Sequence, residues 1–475
     1  MCGFVGSFGA QSINIDIIDK MTSSLHHRGP DSKAYWIDKS SDFSFGHTRL
    51  AIQDVSTNGS QPMHSYSGRY VIAFNGEIYN HFELRKQIQN INWNGRSDTE
   101  TALAVIENYG ISEALCKFNG MFAFALWDKK KKVLTLARDR VGEKPLYYGW
   151  QKDTFLFGSE LKSMKCHPSF QNKINIDAVS AFYRFSYIPA PLTIYCDIFK
   201  LEPGSYVEIS INEKKINPVK YWSIPMILGG EKNNHRVNET ESICELDEIL
   251  NSTIKLQQIS DVPLGAFLSG GIDSSIIASI MQSNNTNKIK TFTISLENKD
   301  FDESHNAALV SEALGTDHNQ IPIGPKDVLN LLPNISKIYD EPFADSSQIP
   351  TYFVSKFASS QVKVCLSGDA GDELFGGYNR YIWSLKYSKF SNELKFIIRT
   401  LFKTLPLESL INFYNLFSRV LPPSYRLALP SEKFQKIKNI INNDDFEDIY
   451  TNLCLTNLEA ERLLFEDTKY NHIKS

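Results

Sequence analysis

The chain has 475 residues, roughly three domain lengths at ~150 residues each, so two or three domains are expected rather than one core. Its composition, 42% hydrophobic, 12% aromatic and 22% charged, is that of a folded protein and excludes a disordered, collagen-like or coiled-coil chain. Fifty basic against 54 acidic residues leave a formal charge of -4, so no global positive field draws nucleic acid or an anionic membrane, and any anion must be recognised locally.

No apolar run approaches the ~18 to 20 residues of a transmembrane helix. The start, Met1-Cys2-Gly3-Phe4-Val5-Gly6, lacks a basic n-region. A cytoplasmic location is expected. The cysteines at 2, 116, 166, 196, 244, 365 and 454 are odd in number and form no CxxC pair, which argues against a disulfide framework or a zinc cage. Six are expected to be buried small hydrophobes. Cys2 stands apart by position.

From Gly3 to about Tyr221, short alternating runs predict an antiparallel β-rich domain with a few helices: Ser44 to Leu50, Tyr70 to Asn75, Met121 to Asp128, Val133 to Arg138 and Thr154 to Gly158. Lys129 to Lys132 read as a solvated hairpin turn. Residues 226–241 hold Gly229-Gly230 and Asn233-Asn234 with little periodicity and predict a linker between domains 1–225 and 242–475. Beyond it, apolar runs at Pro263 to Leu268, Lys290 to Ser295 and Val362 to Leu366 alternate with helical patterns, which implies βα units and a parallel sheet. The stripe from Phe396 to Leu421 fits helices packed on a core, or a surface stripe for a membrane or partner.

A Cys at position 2 becomes a nucleophile carrying its own base once Met1 is removed, because an α-amine with pKa near 8 can accept the thiol proton. Arg49, near a strand end, offers a planar bidentate donor to a carboxylate; a surface ion pair is the structural alternative. Asn75-Gly76 either makes a hairpin turn or turns an amide and an N-H toward a developing oxyanion. Ser97-Asp98-Thr99-Glu100 is a capping box for a helix ending near Gly110 that could also set Asp98 against an ammonium.

In the second half, Pro263 to Leu268 reads as a buried strand, Ser269-Gly270-Gly271 as a tight loop and Asp273-Ser274-Ser275 as a helix start. That arrangement makes an anion site at a helix N-terminus. It is neither a Walker A loop nor a dinucleotide fingerprint. A plain βα turn is the alternative. Leu268 and Ile294 are expected at carboxyl ends of strands, where ligands of open α/β sheets bind.

Taken together with Arg28-Gly29-Pro30-Asp31, Gly46 to Ile52, Asn75 to Asn80, Gly120 to Asp128, Ala137 to Tyr148 and Phe157 to Ser163, the first half closely resembles the glutaminase domain of the asparagine synthetase family, class II glutamine amidotransferases. Ser269 to Ser274 resembles the pyrophosphate motif of adenylate-forming ATP pyrophosphatases. Tyr339 to Ser347 and Leu366 to Tyr381 extend the match to the synthetase half.

The resemblance implies an N-terminal-nucleophile hydrolase sandwich, antiparallel sheets between helices, followed by an α/β adenine-nucleotide alpha-hydrolase-like domain with a parallel sheet. It implies that Cys2 attacks glutamine, that Arg49, Leu50, Ile52, Glu77 and Asp98 hold the amino acid, and that Asn75 and Gly76 form the oxyanion hole. ATP would lie on Leu268, Ser269, Gly270, Gly271, Asp273, Ser274, Ile294, Ser367 and Gly368. Asp369 would support acyl-adenylate formation, and Asp273 and Asp372 would lie near Mg2+. Aspartate is the implied acceptor, and ammonia passes between the sites through an internal tunnel.

Two departures qualify the match. Ala370 stands where the family usually has glycine, at a cost of roughly 1 kcal/mol if the backbone there has positive φ. The synthetase half is also expected to lack its C-terminal part, since family members continue past the region matching Leu455 to Phe465 with helices not found before Ser475. Another acceptor (a sugar uronic acid or a β-lactam precursor) and a shortened glutaminase or regulatory paralogue therefore stay open. A homodimer is an open expectation.

Overall fold

The computed structural model describes residues 1–210, 213–228, 238–298, 302–418, 434–435, 437–438, 441 and 446–456. Sixteen strands follow in chain order among them: β1 Gly3–Gly9, β2 Ser32–Asp38, β3 Phe43–Arg49, β4 Met63–His64, β5 Tyr70–Ile78, β6 Gly120–Asp128, β7 Val133–Arg138, β8 Tyr147–Gln151, β9 Thr154–Gly158, β10 Phe199–Lys200, β11 Ser205–Ser210, β12 Val219–Lys220, β13 Leu264–Phe267, β14 Lys290–Leu296, β15 Asp317–Ile323 and β16 Val364–Leu366.

The first twelve strands build two antiparallel sheets, ordered β10-β8-β9-β1-β3-β2 and β12-β11-β7-β6-β5-β4. Period-2 alternation explains the layering. Phe4, Phe43, Phe45, Trp127, Phe155 and Phe157 point between the sheets, with Phe43 stacked on Trp127 at 4.1 Å. Ile72, Phe74, Phe124 and Leu126 point the other way, onto the helices Asp98–Tyr109 and Ile111–Lys117. The helix Ile15–Ser23 packs on β1 and β3. The result is the expected sandwich of antiparallel sheets between helices.

The third sheet, β15-β14-β13-β16, is parallel throughout. Both its faces are covered: Ala266 and Leu268 pack with Ala278 and Met281, and Phe292 packs with Ala358 and Val362. This is the expected α/β half.

By contacts the described residues form two units. One is Met1–Ala178 with Ile188–Gly368; the other is Val179–Tyr187 with the described residues from Asp369 onward. The second unit is helical, with a small core of Tyr387, Ile441 and Ile449. Its helices Asn392–Thr404 and Leu407–Ser418 leave Phe396 70%, Phe413 66% and Leu416 72% exposed, so much of the expected apolar stripe faces outward. Leu421 and most of the span Leu455 to Phe465 lie outside the described residues, as do 229–237 of the expected linker. The linker's described flanks are helical, Ile224–Leu228 and Glu239–Gln257.

Three local expectations are corrected. Asn75-Gly76 is no turn: β5 runs straight through it, paired with β6 from Tyr70↔Asp128 to Ile78↔Gly120. The real hairpin, between β6 and β7, falls at Lys129 to Lys132 as expected. The capping box is half formed. Ser97 accepts the Glu100 N-H, but the Glu100 carboxylate turns to the N-H groups of Asn94 and Gly95 at 2.7 and 3.0 Å. All seven cysteines are free thiols, yet Cys116 and Cys244 are exposed and the others only partly buried, because Cys116 ends a surface helix and Cys244 lies on the open side of another.

Candidate active sites

β1 lies at the centre of its sheet between β3 and β9, with Gly3 paired to Thr48. Cys2 is therefore delivered to the end of β3. Its Sγ accepts the Leu50 N-H at 3.4 Å and faces the Leu50 carbonyl at 3.6 Å. Arg28 donates from Nε to the Cys2 carbonyl at 2.9 Å and from a terminal nitrogen to Glu160 at 2.8 Å. Burial pushes the Cys2 thiol up, and burial lowers the Met1 α-amine to about 6. While Met1 is attached, the nitrogen of Cys2 is an amide and cannot take a proton.

Arg49, the last residue of β3, is buried and makes no ion pair with a described residue. Its guanidinium donates to the carbonyls of Ser56 at 2.8 Å, Gln53 at 3.5 Å and Asp54. Gly59 makes room for it, since a Cβ there would lie 2.0 Å from an Arg49 nitrogen. Asp54 organises this turn from a left-handed backbone, φ +52°. Its carboxylate accepts the N-H groups of Ser56 at 3.2 Å and Arg96 at 2.7 Å.

β5 supplies the facing wall. Asn75 is fully buried, and neither polar atom of its amide has a partner among the described residues. Only glycine fits at 76, because a Cβ would stand 2.1 Å from the Met121 carbonyl oxygen. Glu77 accepts from Gln53 Nε2 at 2.6 Å. Asp98 accepts the N-H groups of Ile78 at 2.9 Å and Thr99 at 2.8 Å.

Neither Glu77 nor Asp98 makes an ion pair with a described residue. Burial, then the charge of Asp98, raises Glu77 well above the carboxylate range; burial outweighs the two N-H bonds and raises Asp98 to about 6. Cys2, Arg49, Leu50, Ile52, Gly76, Glu77 and Asp98 line one cleft, with Asn75 adjoining it. Gln53, Asp54, Gly59 and Gln61 also shape it, and no local motif marked them.

In the parallel half, Leu268 follows β13 and donates to the Phe292 carbonyl at 2.9 Å. Ser269 Oγ accepts the Gly271 N-H at 3.2 Å and meets Ser274 Oγ at 2.9 Å. Gly270 has φ +83°, and a Cβ on it would lie 2.6 Å from the Ala307 nitrogen. The helix Ile272–Ser283 starts with no side-chain cap, so its first N-H groups stay open to an anion. Gly368 packs on that first turn, where a Cβ would lie 2.8 Å from the Ser274 nitrogen. Ser367-Gly368 thus adjoins Asp273-Ser274. Ile294 sits two residues inside the end of β14 rather than at it.

Asp369 and Asp372 belong to the second unit. Between them Ala370 has φ +72°, the left-handed conformation the glycine comparison implied. No group of three or more His, Cys, Asp or Glu among the described residues forms a metal set. Mg2+ commonly uses one or two carboxylates plus phosphate oxygens. Asp273, beside open N-H groups in the first turn of its helix, fits that role.

Asp340 and Glu341 are both held by hydrogen bonds within their unit. Asp340 accepts the Lys162 N-H at 2.9 Å, while Glu341 pairs with Lys200 and accepts the Ile194 N-H at 3.3 Å.

Residues 1–222 match the family described as glutamine amidotransferase domain, and residues 245–462 the family described as asparagine synthase. The putative asparagine synthetase [glutamine-hydrolyzing] 2 of Methanocaldococcus jannaschii is 36% identical over 452 residues, covering 90% of this chain and 85% of that protein. Asparagine synthetase [glutamine-hydrolyzing] 1 of Bacillus subtilis is 39% identical over 393 residues, covering 80% of this chain and 59% of its own length. The amidase chry2 of Gibberella zeae is 27% identical, covering 77% of this chain and 56% of its own. No described helix is long and apolar enough to cross a membrane.

Proposed function

The chain belongs to the glutamine-hydrolysing asparagine synthetase family, and from that premise we propose that it takes ammonia from glutamine at Cys2 and uses ATP to place it on the side-chain carboxylate of aspartate. The observation that carries the first half is the charge layout of the cleft. A fixed guanidinium, Arg49, stands with two buried carboxylates, Glu77 and Asp98, that make no ion pair with a described residue, beside a thiol. That layout complements a free amino acid carrying a carboxylate, an ammonium and a reactive side chain.

Removal of Met1 frees the Cys2 amine. The amine takes the thiol proton, the sulfur attacks the glutamine amide carbon, and the oxyanion forms against the Asn75 amide and the Gly76 N-H. Proton return expels ammonia. Water then cleaves the thioester to glutamate.

In the second half, residues 242–475, the aspartate carboxylate attacks the ATP α-phosphorus and pyrophosphate leaves. Ammonia displaces AMP from the acyl-adenylate, giving asparagine. Leu268 and Ile294 would border the base; Ser269, Gly270, Gly271 and Ser274 would cradle the phosphates; and Ser367-Gly368 would close on the nucleotide. Asp273 would hold Mg2+, which would supply charge neutralisation at the phosphates. The cytoplasm, where glutamine and ATP are at hand, is the proposed location.

The test incubates the chain with glutamine, ATP, Mg2+ and aspartate and measures AMP, glutamate and asparagine. Equal yields of AMP and asparagine are expected, with Cys2→Ala losing glutamine use and keeping synthesis from ammonium. Equal loss of both activities contradicts the division of labour. A second reading changes only the acceptor carboxylate, and the amidase name of the Gibberella zeae relative favours testing it. AMP formed with another carboxylate but not with aspartate would select it.

A further inference from the structure

The turn that builds the glutamine cleft is held from outside its own half. Asp261, three residues before β13, accepts the Asp54 N-H on its carboxylate at 2.8 Å and donates its own N-H to the Ile52 carbonyl at 3.0 Å. Lys363, one residue before β16, donates to Asp31 at 2.7 Å, and the same Asp31 oxygen accepts the Ala51 N-H at 2.8 Å. Lys363 also donates its N-H to the Pro263 carbonyl at 3.2 Å, tying the two anchors together.

Residues 51 to 54 are what the cleft rests on. Ile52 lines it, Gln53 fixes Glu77, and the carbonyls of Gln53 and Asp54 orient Arg49. Asp54 stands in a left-handed backbone, a conformation that costs a non-glycine residue energy and must be held by its surroundings. The N-H that Asp261 accepts is the one on that residue. β13 and β16 are paired neighbours, Leu264↔Val364 to Ala266↔Leu366, so the two anchors act as one edge.

We propose that Asp261, seconded by Lys363 through Asp31, is a positioning residue of the glutamine cleft that sets glutamine affinity from the nucleotide-binding half. This rests on reading the cleft as the glutamine site. Asp261 touches neither the lining residues' reactive groups nor Cys2, so the effect falls on KM and not on the chemical step.

The experiment uses the full chain and measures glutamate release from glutamine. Asp261→Ala is expected to raise KM about fivefold with kcat within about twofold, the size of one lost charge-assisted hydrogen bond at a half-exposed site. Asp261→Asn keeps an acceptor and should restore KM to within about twofold. Lys363→Met should raise KM about twofold, as a part-exposed ion pair contributes less. Unchanged KM in Asp261→Ala, or a loss confined to kcat, overturns the proposal.

Amide hydrogen exchange over residues 51–56 reads the same clamp without substrate. Faster exchange at Asp54 in Asp261→Ala, or at Ala51 in Lys363→Met should the first variant not fold, supports it; unchanged exchange overturns it. If the unsubstituted chain releases no glutamate, the reading of the cleft fails, while exchange still decides the clamp.

Discussion

Arg28 holds the carbonyl of Cys2 through Nε at 2.9 Å, so the proposed nucleophile is fixed by a bond to its own backbone as well as by the Leu50 contacts at its sulfur. The guanidinium is oriented in turn by Glu160, which burial would raise but the neighbouring His27 and Arg28 hold down at about 2. Arg28→Gln is expected to lower kcat for glutamate release by about 10- to 100-fold with a small change in KM, because misplacing a reacting atom affects the chemical step most. Steady-state kinetics on the purified variant decide it.

Glutamine use should depend on pH through Asp98. Burial raises its folded value to about 6 from an ordinary 3.8. With a raised value, its contribution to stability is full below about pH 4 and is lost as pH climbs through about 6. Binding an ammonium runs the other way, since it needs the charged carboxylate. KM for glutamine is therefore expected to rise up to about tenfold per pH unit below 6. Asp98→Asn should bind glutamine poorly and flatten that profile.

Ala370 carries a side chain at φ +72°, where glycine has no steric penalty. Ala370→Gly is expected to stabilise the chain by up to about 1 kcal/mol, the strain relief being partly offset by the greater unfolded-state entropy of glycine. Urea titration followed on the helical unit measures it; a destabilised variant contradicts the assignment.

Gly368→Ala would set a methyl group against the Ser274 nitrogen at the first turn of the helix Ile272–Ser283, the proposed nucleotide site. AMP formation is expected to drop about tenfold or more while glutamate release from glutamine stays near its starting value, since backbone at this turn cannot yield as a side-chain tip would. Parallel assays of the two products on one preparation separate the outcomes.

Much of the fold was legible because its strands alternate or are apolar throughout. Val133 to Arg138 and Thr154 to Gly158 fall on β7 and β9 residue for residue. β15, Asp-His-Asn-Gln-Ile-Pro-Ile, was not, because its mixed burial leaves little pattern to read. Asn75-Gly76 misled by its local turn chemistry: the glycine answers the approach of the Met121 carbonyl from β6, a contact no short window contains.

The candidate residues that meet in the cleft were legible as motif, but their supports were not. Gln53 reaches Glu77 across 24 residues of sequence, and Asp261 reaches Asp54 across 207. The apolar stripe after Phe396 was legible as helix, while its outward-facing side depends on tertiary placement.

The central position of β1 has a practical side. β1 is flanked by β3 on one edge and β9 on the other, so Cys2, directly before it, is held where the pairing puts it. An affinity tag left at the amino end would turn the amine of Cys2 into a peptide bond and crowd the cleft with foreign chain. Preparations for activity work should carry their handle elsewhere, and a batch silent with glutamine but active with ammonium should first be weighed for an uncleaved methionine.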